Sequence, residues 1–174
     1  MSRDSEIRSA LQRAQEIVEA DPSRATGTIS LKLEMGEAIK CVTRAENWTL
    51  ELDEPKSMGG DDSAPGPYIL GFSAIASCFA MTLRMMAVRA GVAINSMTVD
   101  VEGDYDDRAF FDLADERTGY RTLRLNVDVD CDTDASEIEA LIAEARRKSP
   151  WLNTFAHPNS VSAKIVGGDS GGHA

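Results

Sequence analysis

Pro67-Tyr68-Ile69-Leu70-Gly71-Phe72-Ser73-Ala74-Ile75-Ala76-Ser77-Cys78-Phe79-Ala80-Met81-Thr82-Leu83-Arg84-Met85-Met86-Ala87-Val88-Arg89-Ala90 is the stretch on which the fold turns. Its only charges are Arg84 and Arg89, both in the second half. Proline suits a first helical turn, where its missing N–H would have had no partner anyway. Gly91 can adopt the left-handed conformation that ends a helix. Apolar residues surround the whole segment, which predicts a central, buried helix. A membrane span is the competing reading. Pro65, Gly66, Pro67 and Gly71 interrupt its start, while Ser73, Ser77 and Thr82 dilute it, so no membrane is expected.

Working outward, the pattern changes to period two on both sides. Upstream, Ile29, Leu31, Leu33 and Met35 alternate with polar residues, Ile39, Cys41 and Thr43 share a second face, and Trp48, Leu50 and Leu52 a third. Two or three antiparallel strands follow from this, and Glu54 to Gly66 reads as a Gly/Pro/Asp/Ser loop. Downstream, Met97, Val99 and Val101 form one strand face, and Leu123 to Cys131 another, around an acidic connection from Gly103 to Thr118. A second helix is expected over about Ala135 to Lys148. Asp134 and Glu137 supply a capping signal, and Ser149-Pro150 a stop. Val161, Ala163 and Ile165 suggest a last strand. At the other end, about Asp4 to Ala20 reads as an amphipathic helix with Ile7, Leu11, Ala14, Ile17 and Val18 on one face. Asp21-Pro22 closes it.

The predicted class is α+β, with a mainly antiparallel sheet, a buried central helix and a second helix. One domain over residues 1–174 is expected, with 1–22 as an N-terminal helical extension and 167–174 as a flexible tail. The formal net charge of -11 argues against nucleic acid and anionic membranes, which bind basic surfaces. Three widely spaced cysteines, Cys41, Cys78 and Cys131, fit a reducing, cytoplasmic setting better than a disulfide framework. The charged N-terminus lacks the apolar core of a signal peptide. His157 and His173 are the only imidazoles, and no metal-ligand spacing occurs, so neither metal nor cofactor is expected.

Cys78 is the candidate for chemistry. A thiol in an apolar run is either an inert packing residue or a reactive group shielded from water. It lies about three turns into the helix, beyond the reach of the helix dipole. Phe72, Ile75, Phe79 and Met81 around it would disfavour a thiolate. Arg84 lies about 240° around the helix from it. Any activating group must therefore come from another segment or another subunit. Cys41 and Cys131 fall in phase with strand faces and read as packing residues.

Asp53-Glu54-Pro55, Gly59-Gly60-Asp61-Asp62, Pro65-Gly66-Pro67-Tyr68 and Ala76-Ser77-Cys78-Phe79-Ala80-Met81-Thr82-Leu83-Arg84-Met85 together resemble the osmotically inducible protein C / organic hydroperoxide resistance (OsmC/Ohr) family. Val101 to Arg108 resembles the family's Gly-x-x-Asp-x-Arg turn, and Ala145 to Pro150 its second helix end. The resemblance implies an intertwined homodimer with active sites at the subunit interface. It also implies organic hydroperoxide reduction by a cysteine pair, with an Arg and a Glu activating the first thiolate. Cys78 matches the attacking position. Ser149 stands where the resolving cysteine would be, and Tyr68 and Ile69 where the Glu would be. Arg44, or else Arg24, is the candidate guanidinium, and Tyr68 and Phe79 are candidate pocket-lining residues.

Two functions follow as expectations. In the first, Cys78 reduces an organic hydroperoxide and an external thiol restores it, without a resolving cysteine. In the second, the dimer is catalytically inactive and binds a small hydrophobic molecule at the subunit interface.

Overall fold

The computed structural model describes residues 2–165. The expected tail, 167–174, and His173 with it lie outside the described residues. Helix α1 (Arg3–Ala20) starts at Ser2, whose side chain accepts the Ser5 N–H, and ends at Asp21 before a short 3-10 turn, Pro22–Ala25. Strands β1 (Lys32–Met35), β2 (Cys41–Ala45) and β3 (Trp48–Leu52) form an antiparallel sheet in that order. Helix α2 (Pro67–Ala90) follows the loop. Strands β4 (Ile94–Asp104) and β5 (Thr122–Cys131) make a second antiparallel pair, with Val99 opposite Val127 and Val101 opposite Leu125. Helices α3 (Ala135–Lys148) and α4 (Pro150–Ala156) close the described chain.

The bounds of α2 follow from local chemistry. Pro67 opens it after Gly66, and Gly91 ends it at φ 83°, with its N–H returned to the Ala87 and Val88 carbonyls. One face of α2 meets α3 and β4. Phe79, Leu83 and Ala87 pack there with Val92, Ile94, Ile138, Leu141 and Ala145. Leu83 and Ala87 are fully buried. The inner faces of β4 and β5 (Met97, Val99, Leu125, Val127, Val129) complete this core. By length and composition α2 could cross a bilayer, with a mean hydropathy of 1.6. Within the protomer Ile75, Phe79, Leu83, Ala87 and Val88 of this helix are buried. Arg84, within it, pairs with Asp4 of α1 at 2.6 Å and donates to the Ile94 carbonyl.

The other face of α2 is open. Ile69, Ser73, Ser77, Met81 and Met85 recur every fourth residue, and all are exposed. The apolar girdle that predicted a fully buried helix is thus covered on one side only within a single chain. The first sheet behaves likewise: Leu31, Leu33, Met35, Trp48 and Leu50 are exposed, and its packing is internal to its own strands.

Four local expectations need correction. The alternation from Ile29 yields a strand only from Lys32, and Ile29 is 99% exposed. Val161 to Ile165 forms no strand, because among the described residues no neighbouring edge supplies the hydrogen bonds that hold one. Asp134 occupies the N-cap of α3 but makes no side-chain capping bond. Pro150 does stop α3, yet it also begins α4, since proline at the first helical position serves both ends.

Candidate functional site

The loop before α2 is built around one carboxylate. Asp53 is 3% exposed. It accepts the N–H groups of Glu54 (2.9 Å), Asp61 (3.2 Å) and Ser63 (3.0 Å) and the Ser63 hydroxyl (2.9 Å). The Ser63 N–H, ahead of its hydroxyl and the other amides, holds the Asp53 carboxyl below the ordinary carboxylate range. Gly60 passes so close to this turn that a Cβ would sit 1.9 Å from the Glu54 carbonyl oxygen. The loop is thereby fixed, and it sets the start of α2.

Cys78 projects from the middle of α2, half-buried, beside the junction of α3 and α4. The Ser149 hydroxyl donates to its Sγ at 3.5 Å. Ser149 is fully buried. Its N–H closes the last turn of α3 on Ala145, and its carbonyl accepts both the backbone N–H and the side-chain amide of Asn153. Two helix ends meeting at one residue therefore hold this hydroxyl against the thiol. Sequence reasoning treated Ser149 chiefly as a helix stop; its match to the family's resolving position was the signal that it faces Cys78.

The remaining candidates lie elsewhere. Arg44 is exposed on β2, where Nη1 reaches the Thr49 hydroxyl at 3.5 Å, and its sheet does not pack on α2 in the protomer. Arg24 sits in the exposed 3-10 turn after α1. Cys41 donates to its neighbour Ile39, and Cys131 packs on the core. All three cysteines are free thiols. Among the described residues no cluster suits a metal ion.

Tyr68 and Phe79 border an open groove of about 1410 Å³ between α2, β5, α3 and α4, and Cys78 does not line it. Phe79 contributes from the core, while Tyr68 stands at the rim with 58% exposure. The rings of Tyr68, Phe72, Tyr120 and Tyr105 follow one another with centroids 6.4, 4.8 and 6.4 Å apart. Burial, then the Asp107 carboxylate, push the Tyr120 hydroxyl upward, so it remains a neutral phenol. The acidic turn after β4 is an ion-pair lattice. Arg108 grips Asp106 at 2.6 Å, which holds that carboxyl well below the usual range. Arg124 binds Glu102 and Asp104, each at 2.9 Å.

The family described as OsmC-like protein matches residues 60–164. That span holds α2, both long strands, α3 and α4, with Cys78 and Ser149 among them. Solved structures agree in fold. An OsmC-like protein from Mycoplasma pneumoniae is 21% identical with a TM-score of 0.65, covering 75% of this chain and 88% of its own. An organic hydroperoxide resistance protein OsmC from Legionella pneumophila is 20% identical at 0.53, covering 75% and 91%. An organic hydroperoxide resistance protein from Elizabethkingia anophelis, with thiocyanate bound, is 20% identical at 0.57, covering 74% and 87%. No curated protein matches the chain.

Proposed function

Because the chain belongs to the OsmC-like protein family, we propose that it reduces organic hydroperoxides through Cys78, as a one-cysteine peroxidase renewed by an external thiol. The observation that carries this reading is the contact between the Cys78 Sγ and the Ser149 hydroxyl at 3.5 Å. Two structural neighbours are named as organic hydroperoxide resistance proteins, which supports the substrate class.

The chemistry balances as follows. The Cys78 thiolate attacks the peroxide oxygen distal to carbon, the O–O bond breaks, and the alkoxide leaves with a proton as the alcohol. Sulfur is oxidised to a sulfenic acid. A reductant thiol then displaces water to give a mixed disulfide. A second thiol releases Cys78 and carries away the disulfide. Ser149 cannot form a disulfide. Its hydroxyl is a fixed donor toward the sulfur and favours the thiolate form that attacks.

The guanidinium is assigned to Arg44 of a second copy. Within one chain the first sheet and the open face of α2 both expose apolar residues, and one could cover the other in a homodimer. Such apolar exposure favours association, against the mutual repulsion of two copies that each carry a net charge of -11. The setting is a reducing one, the cytoplasm. Purified protein with a dithiol should consume cumene or t-butyl hydroperoxide, and Cys78→Ser should not. Absence of Cys78-dependent consumption overturns the reading.

The second reading, an inactive dimer binding a small hydrophobic molecule at its interface, is favoured by one observation. No charged side chain of the same chain hydrogen-bonds Cys78 among the described residues. Apolar-ligand stabilisation unchanged in Cys78→Ser, with no peroxide turnover, would select it.

A further inference from the structure

The groove beside α2 carries charge opposite to that of the whole chain. Five arginines (Arg117, Arg121, Arg124, Arg146 and Arg147) and His157 line it, and among the described residues no Asp or Glu does. The chain as a whole has a net charge of -11. Two of these arginines are already committed. Arg121 pairs with Glu116 and Asp106, and Arg124 with Glu102 and Asp104. The others are not. Among the described residues Arg117 and Arg146 have no carboxylate within ion-pair distance. Arg147 reaches Glu144 only at 3.9 Å, and Glu144 is held by Lys148 at 2.6 Å. Beneath these guanidinium groups the wall is apolar: Phe72, Ile75, Leu125, Val127, Ile142 and Leu152.

We propose that this groove binds an anionic amphiphile, an acyl-like body lying on the apolar wall with its carboxylate or phosphate head held by Arg117, Arg146 and Arg147. Guanidinium forks match both heads bidentately. Gathering like charges around a concavity raises the local potential, and an anion relieves it. A polyanion is disfavoured because Glu102, Asp104, Asp106 and Glu116 sit just behind the committed arginines. An uncharged ligand would leave the unpaired guanidinium groups unused. Cys78 does not itself line the groove, although Ile75 and Phe79 beside it on α2 do, so binding there is read without need of the thiol.

The full chain is titrated calorimetrically, below micelle concentrations, with dodecanoate, dodecyl phosphate, dodecanol and acetate. Saturable binding of the first two is expected, with dodecanol weaker by roughly tenfold or more, the worth of a charge-assisted hydrogen bond. Acetate should not saturate. If only one anion binds, the head chemistry is thereby chosen. Arg117→Gln with Arg146→Gln should weaken the anions by roughly tenfold while leaving dodecanol unchanged, and Arg146→Lys should restore part of the loss. Circular dichroism checks that the variants fold. Cys78→Ser loses the peroxide readout yet should still bind, which separates failure here from failure of the peroxidase reading. Equal affinity for dodecanol and dodecanoate, or wild-type anion binding by the double variant, overturns the proposal. So does a groove that binds neither anion while the double variant dissociates a dimer in sedimentation, since a second copy would then be the occupant.

Discussion

The Ser149 hydroxyl lies 3.5 Å from the Cys78 sulfur, across 71 residues of sequence, at a point where two helix ends bury it completely. A small change at Ser149 should therefore change the chemistry of Cys78 without disturbing the fold around it.

Ser149→Cys should place a second thiol within disulfide reach, since sulfur replaces oxygen at nearly the same position. One equivalent of hydroperoxide should then remove two free thiols per chain, where the natural chain forms a sulfenic acid. Thiol counting and mass spectrometry read this directly. Ser149→Ala should slow the peroxide reaction by about tenfold, the loss of one donor to a charged group. An unchanged rate would remove Ser149 from the mechanism.

Asp53 should make stability pH-dependent at the acid end. Its folded carboxyl is held below the ordinary 3.8 by the Ser63 N–H first and then by the other donors. A depressed folded value stabilises the protein above the unfolded one, and the benefit disappears as pH falls through the folded value. The melting temperature of Asp53→Asn should therefore lie below that of the natural chain near neutrality. The gap should close as the pH is lowered well below 3.8. A gap independent of pH would show that the carboxylate charge is not what matters.

Gly60→Ala tests the same turn sterically. The added carbon would lie 1.9 Å from the Glu54 carbonyl oxygen and 2.7 Å from the Asp53 Oδ1, so the backbone must move. A loss of about 1–3 kcal/mol is expected, readable by urea unfolding.

The α1 clasp should be graded. Asp4→Ala removes one half-exposed ion pair to Arg84 and should cost about 0–1 kcal/mol. Arg84→Ala also strands the Ile94 carbonyl and should cost more than Asp4→Ala. Equal costs would mean that the carbonyl bond contributes nothing.

The open stripe on α2 predicts association. The natural chain should sediment as a dimer, and Met81→Glu should shift it toward monomer, because Met81 stands 62% exposed in the middle of the stripe. A monomeric natural chain would leave the stripe without the proposed partner.

Much of the fold was legible because its punctuation is local. Pro67 and Gly91 bound α2, and Ser149-Pro150 ends α3, through backbone geometry that a few residues impose on themselves. The alternation in β4 and β5 is equally local, since successive side chains must point to opposite faces. The strand expected at Val161 to Ile165 does not form, because a strand needs a neighbour's hydrogen bonds and alternation alone names no neighbour. Helix α4 was not legible either, hidden by a proline that reads as a stop.

Periodicity and punctuation alone establish the α+β class, the central helix and a thiol in its apolar middle. Composition settles that the chain is acidic. Tertiary structure decides what stands beside that thiol, and that Arg117, Arg146 and Arg147 line one groove. The physical reason is range. Backbone preferences act over a few residues, whereas the Cys78–Ser149 contact and the arginine-lined groove arise only when α2, β5, α3 and α4 pack together.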